Sequence, residues 1–142
     1  MKYYTDGFLF LSNPSPIGGG YTIIDENNNL ISNERVMKKG LTNNEAELLG
    51  VYNALKLAEV GDTISTDSQI ILGWINNGEY IKKNYPRKES KKARRVDLDP
   101  IRIESYDLMI SKKIKLIWEE REKNLAGIYN EDAGLDNGLP EL

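Results

Sequence analysis

The chain of 142 residues contains no cysteine and no histidine. Without cysteine there are no disulfides and no thiolate metal sites, and the composition suits a reducing compartment. Without histidine, every Ser-His or Cys-His nucleophilic scheme and every imidazole-ligated zinc site is excluded. Acid–base work and metal binding fall to carboxylates. No apolar run approaches the length of a bilayer span, and the N-terminus lacks the basic-then-apolar layout of a signal peptide, so a soluble, cytoplasmic protein is expected. Length and an apolar fraction of 39% fit one domain over residues 1–142, expected to work as a monomer.

Charge is unevenly spread. The stretch "KKNYPRKESKKARR" (82–95) carries eight basic residues and one acid, a local +7 in a chain of net charge −3, so the remainder carries −10. A solvated charge run and a phosphate-backbone contact are both open for it.

What the chain does have is an alternation of strand and helix patterns. "KYYTDGFLFL" (2–11) is rich in aromatic residues and predicts a strand, although Asp6-Gly7 in its middle also fits a two-residue hairpin turn. "SNPSPIGGG" (12–20) is dense in turn formers. Strands are expected over Tyr21–Ile24 and Leu30–Met37, joined through Asn27-Asn28-Asn29, and the short connections make these three strands antiparallel. The clearest helix is 42–61: Thr42 and Glu45 have capping-box spacing, Leu48, Val51, Leu55 and Ala58 recur at helical intervals, and Gly61 fits a C-terminal cap. A strand (62–67), a strand-to-helix junction (68–78), a basic loop, a helix (99–113), a last strand (114–120) and a short terminal helix or turn (124–137) follow. The alternation implies an α/β domain with a mixed sheet.

Three carboxylates fit this plan poorly. Asp6 lies inside a strand, where an unpartnered buried charge is costly. Glu45 and Glu47 point about 200° apart on their helix. Glu45 is accounted for as a cap, whereas Glu47 heads the buried stripe Glu47, Val51, Ala54, Ala58. Asp67 ends a strand at a helix, either as an N-cap or at the strand terminus where ligands collect in open sheets. Brought together, the three would repel unless a hard divalent cation joined them.

The motifs "YTDG" (4–7), "NPSPIGGG" (13–20), "TNNEAEL" (42–48) and "TDSQ" (66–69), in this order and spacing, resemble the type 1 ribonucleases H over nearly the whole chain. The resemblance implies an RNase H-like, five-stranded mixed sheet flanked by helices, three strands antiparallel and the rest parallel. It also implies hydrolysis of the RNA strand of RNA–DNA hybrids with two Mg²⁺ ions, Mn²⁺ being able to substitute. Asp6, Glu47 and Asp67 would then be three of four metal-binding carboxylates. Asn13, Asn43, Asn44 and Gln69 would touch the hybrid's minor groove, where 2′-hydroxyls mark RNA. Lys88, Lys91, Lys92 and Arg94 would hold DNA phosphates, with Trp74 or Tyr85 packing on a sugar.

The departure is at the fourth carboxylate. Where the family has a terminal-helix Asp, "REKNLAG" offers Gly127 and "NEDAG" offers Gly134. Glu131 lies one helical turn from each and is the first choice, followed by Asp132 and then Asp136. The family's usual nearby histidine, which bears on product release, is missing too. This departure keeps two rivals in view: an RNase H-fold binding module weakened in catalysis, and another nuclease of the same fold such as a junction resolvase or exonuclease. Neutralising Lys88, Lys91, Lys92 and Arg94 together is expected to weaken hybrid binding regardless of sequence. It should also flatten the salt dependence by up to about one unit of log–log slope for each phosphate that is no longer neutralised. Binding isotherms between low and high salt measure this, and an unchanged slope would make the stretch a solvated loop.

Overall fold

A computed structural model describes residues 1–89 and 95–139. The first strand, β1 (Lys2–Leu9), runs straight through Asp6-Gly7, so the hairpin-turn alternative is gone. β2 (Gly19–Asp25) and β3 (Leu30–Val36) complete an antiparallel trio. The expected asparagine turn joins them: the Asp25 carboxylate accepts from the amides of Asn27 and Asn29, both at 2.9 Å, while Asn28 takes φ +64°.

Helix α1 (Asn43–Leu57) begins where expected and ends sooner. Thr42 Oγ1 accepts from the Glu45 amide at 3.2 Å, which is half of a capping box. The other half does not form, because the Glu45 carboxylate pairs with Lys38 at 2.7 Å and Arg95 at 2.6 Å. Gly61 is not the helix cap. Lys112 reaches across from a later helix and donates to the carbonyls of Leu55, Lys56 and Ala58 at 2.8–2.9 Å, satisfying the terminal acceptors that a glycine motif would otherwise serve. Gly61, at φ +85°, instead makes the turn into β4 (Thr63–Thr66).

After β4 come α2 (Gln69–Asn76) and α3 (Gly78–Lys83), two helices in place of a single junction. Lys82 and Lys83, the start of the basic stretch, are thus helical; Lys91, Lys92 and Arg94 lie outside the described residues. α4 (Asp99–Ser111), β5 (Lys115–Trp118) and α5 (Leu125–Asp132) follow. The sheet order is β3-β2-β1-β4-β5, with β1, β4 and β5 parallel. The mixed five-stranded sheet expected from the sequence is therefore present.

The main core lies between the sheet and α1, α2 and α4, built from Ile23, Leu48, Val51, Leu55, Ile64 and Ile75 among others. On the other face Phe8 and Phe10 pack with Leu135 beyond α5. Gly7 sets the spacing of the first layer, since a Cβ there would lie 2.6 Å from the Glu47 amide nitrogen. Only glycine lets the first turn of α1 press against β1 this closely. Among the described residues no helix is long and apolar enough to cross a membrane.

The base of the basic stretch is tied down by a buried bidentate pair. Arg87 Nε and Nη2 donate to the two oxygens of Asp99 at 2.8 and 2.6 Å, and the Asp99 side chain is 1% exposed. Asp99→Ala leaves the guanidinium without its partner and is expected to cost about 3–5 kcal/mol of stability in urea unfolding. A loss under about 1 kcal/mol would mean that Arg87 finds water instead.

Candidate metal centre

β1 pairs with β4 only from Lys2–Tyr4 to Thr63–Ser65. Beyond Tyr4 the two parallel strands are no longer paired, while β1 continues antiparallel to β2. The strand order reverses here, β2 lying on one side of β1 and β4 on the other, and such a topological switch point is where open sheets collect ligands. Asp6 stands on β1 at the opening, Asp67 follows the end of β4, and Glu47 enters from the first turns of α1. One oxygen from each lies within 4.8 Å of the others.

Local sequence explains why each carboxylate is available. Asp67 is not the N-cap of α2. Ser68 takes that role, its hydroxyl accepting from the Ile71 amide at 3.2 Å. Glu47 is held at the buried head of its predicted stripe and is 4% exposed. Among the described residues its Oε2 has no hydrogen-bond partner, a costly state for a buried oxygen that a cation would relieve. Burial pushes the Asp6 carboxyl up; the Asn130 amide opposes this and the negative Asp67 adds to it, leaving it at about 7. Burial, then Asp6 and Asp67, push Glu47 well above the ordinary carboxylate range, against the Gly7 amide.

Two asparagines not singled out in the sequence partly compensate the charge. Asn130, 1% exposed on α5, donates to Asp6 Oδ2 at 2.9 Å while its own oxygen accepts from the Thr22 hydroxyl at 2.5 Å. Asn33 Nδ2 in turn donates to that hydroxyl oxygen at 2.7 Å, so a relay crosses β3 and β2 to fix the amide's orientation. Asn124 donates to Asp67 Oδ2 at 3.1 Å and to the Thr5 carbonyl at 2.9 Å, and its oxygen caps α5. The available signal was spacing: Asn124, Gly127 and Asn130 recur every three residues, a polar and small stripe on one helix face.

The three carboxylates line a cleft of about 500 Å³ with Asn43, Asn44, Gln69, Trp118, Arg121 and Asp136. Asn43, Asn44 and Gln69 thus reach the site as expected. Asn13 stands one step back, its Oδ1 accepting from the Asn43 amide at 3.2 Å. Lys88 and Tyr85 are exposed, whereas Trp74 is packed against the core with the Arg102 guanidinium 5.1 Å over its ring. The sequence reading also missed Trp118, whose indole donates to the Asp67 carbonyl at 3.0 Å and whose ring forms part of the cleft. Glu131 and Asp132 are exposed and belong neither to the cluster nor to the cleft lining; of the three fourth-carboxylate candidates only Asp136 lines it. A helix beginning at Leu125 turns Asn130, not Glu131, toward Asp6. The donor set is all oxygen, anionic and partly dehydrated, which fits a hard divalent cation.

The family model described as RNase H matches residues 1–133 of the chain. The Ribonuclease H of Dinoroseobacter shibae is 34% identical over 107 residues, spanning 66% of this chain and 68% of that protein. Two solved structures share the fold. The N-terminal RNase H domain of Rv2228c from Mycobacterium tuberculosis, solved as a fusion with maltose-binding protein, has a TM-score of 0.54 at 21% identity, covering 88% of this chain and 90% of that one. LC11-RNase H1, in complex with an RNA/DNA hybrid, has a TM-score of 0.52 at 24% identity, covering 87% of each chain.

The carboxylate cluster makes the metal-free protein sensitive to pH. With Asp6 raised from 3.8 to about 7, the folded state keeps a proton that the unfolded chain releases between those values. Stability therefore falls as pH rises from about 4 to about 7, and Glu47, also raised above its ordinary value, adds to the fall in the same direction. Asp25, Asp62 and Asp97, held low by the amides of Asn29 and Glu59 and by Arg95 respectively, act below about pH 4. Thermal melts in EDTA across about pH 4–8 are expected to show the fall in the parent and a flatter profile in Asp6→Asn. Parallel profiles would contradict the assigned titration.

Proposed function

Since the chain belongs to the RNase H family, we propose that it is a metal-dependent endoribonuclease that hydrolyses the RNA strand of RNA–DNA hybrids. The observation that carries this reading is the meeting of Asp6, Glu47 and Asp67 at the switch point, with a buried Glu47 oxygen that has no partner. These three residues would hold Mg²⁺, or Mn²⁺ in its place. A pair of such ions, when bound, supplies an activated water and stabilises the leaving oxygen of a phosphodiester.

The chain's own groups do the rest. Asn130 and Asn124 orient Asp6 and Asp67 and leave further carboxylate oxygens free for ligation. Asn43, Asn44 and Gln69, exposing amide donors and acceptors along the cleft, match the 2′-hydroxyls and base edges of a hybrid's minor groove. Asn13 acts through Asn43, bracing the start of α1. Lys88, Lys91, Lys92 and Arg94 supply phosphate contacts to the DNA strand. One chain contributes all three carboxylates, which suits a monomer, and the cysteine-free sequence suits the cytoplasm.

Labelled RNA–DNA hybrid, duplex DNA and duplex RNA, each incubated with and without Mg²⁺, test the reading. Metal-dependent cleavage of the hybrid's RNA strand is expected. Binding without cleavage would identify a binding module, and cleavage of DNA a different nuclease. Asp67→Asn and Glu47→Gln are expected to lower the rate about 10³-fold or more, equivalent to about 4 kcal/mol of transition-state stabilisation. Glu45→Gln, two residues from Glu47, weakens the pairs with Lys38 and Arg95 and is expected to cost about 1–3 kcal/mol of stability. Its rate per folded molecule should stay within a few-fold of the parent. Equal rate losses at 45 and 47 would refute the assigned helix face.

A further inference from the structure

Helix α5 sends no carboxylate toward Asp6. At Gly127, a Cβ would lie 3.7 Å from the Asp6 Cγ and from the Asn124 side chain, so a position beside the cluster carries only a hydrogen. The next inward-facing residue is the neutral Asn130. Negative charge reaches the cleft from beyond the helix. Gly134 at φ +66° and Asn137 at φ +58° reverse the chain, and Leu135 is buried beside Phe8 and Phe10. The backbone is then fastened to the end of β1: Asn137 donates to the Leu9 carbonyl at 2.7 Å, and the Leu11 amide donates to the Gly138 carbonyl at 3.1 Å. This turn sets Asp136 in the cleft wall.

Asp136 is loosely partnered there. Its Oδ1 lies 3.5 Å from the Leu9 amide, and its Oδ2 lies 3.9 Å from the Arg121 guanidinium, with both side chains substantially exposed. A pair of that length in water holds little energy, so the carboxylate can exchange partners at low cost. Glu47, in the same cleft, gives an independent pointer to a ligand, since its buried Oε2 has no hydrogen-bond partner among the described residues.

We propose that Asp136, delivered by the turn after α5, is an outer carboxylate of the metal centre, and that Arg121 is its partner while no ion is bound. The proposal rests on the reading of Asp6, Glu47 and Asp67 as metal ligands. A carboxylate at the rim adds charge to the site and is expected to act on metal affinity before it acts on the chemical step.

The test is Mn²⁺ binding to the full chain without nucleic acid, followed by electron paramagnetic resonance of free Mn²⁺, with circular dichroism confirming that each variant is folded. Asp136→Asn is expected to weaken binding about 10- to 100-fold, the range for groups that support metal ligands. Asp136→Ser provides a second neutral replacement. Arg121→Gln, which frees Asp136, should tighten binding a few-fold. Glu131→Gln should change it less than twofold, whereas Glu47→Gln should abolish it. Equal losses in Asp136→Asn and Glu131→Gln would reduce Asp136 to background charge and overturn the proposal. So would parent-like binding in Asp136→Asn beside none in Glu47→Gln, a result that leaves the metal centre standing. Parent-like binding in Glu47→Gln would instead remove the metal reading on which the proposal rests.

Discussion

Repulsion among Asp6, Glu47 and Asp67 is the constraint on which the rest of this structure turns. Their oxygens come within 4.8 Å in an opening that burial partly dries, and like charges at that spacing interact strongly once water is displaced. The protein meets the problem with neutral donors. Two asparagine amides and the nearby Gly7 amide soften the negative field, yet none carries the positive charge that would cancel it. Lys38 and Arg95 are held on Glu45 and Lys2 on Glu119, and Arg121, in the cleft wall, lies nearest the rim carboxylate of Asp136. The arrangement leaves uncompensated negative charge in the opening, as the proposed metal site requires.

Holding such a site requires rigid backbone on every side. α1 can bring Glu47 to β1 only because Gly7 removes the side chain that would stand between them. The far end of α1 is fixed by Lys112, and its start is braced by Asn13 at the Asn43 amide and by Arg95 at Thr42. Glu45 and Glu47 are both buried carboxylates on this short stretch, but the first faces two cations and the second faces two anions. Their different surroundings, two residues apart, separate a structural role from the proposed ligating one.

Much of this was legible in the sequence because it depends on local periodicity. The strands, the start of α1 and the buried stripe headed by Glu47 follow from spacing, and so does the awkwardness of an Asp inside a strand. What was not legible depends on distant partners. The end of α1 is set by Lys112, 54 residues beyond Ala58, so no local glycine rule could find it. Glu131 is correctly spaced from Gly127 and Gly134, but α5 points Asn130 inward instead, because Asn130 is locked to Thr22 on β2. Asp136 reaches the cleft through a reversal anchored by Leu135, a tertiary contact that helical geometry does not describe.

The use of asparagine at the two inner positions of α5 has a physical logic. Another carboxylate at position 130 would lose the donor to Asp6 Oδ2 and add charge in the most enclosed part of the cluster, where desolvation already pushes Asp6 and Glu47 upward. An amide there stabilises the ionised Asp6 without competing for a cation. A further carboxylate costs less at the rim, where water screens it and Arg121 can pair with it. The inner wall therefore favours neutral donors and the outer wall favours charge. The apolar cluster of Phe8, Phe10 and Leu135 anchors the turn that carries Asp136 against the sheet. Stability is gained in that cluster and in the main core, and lost in the opening between β1 and β4, where the proposed metal ligands meet.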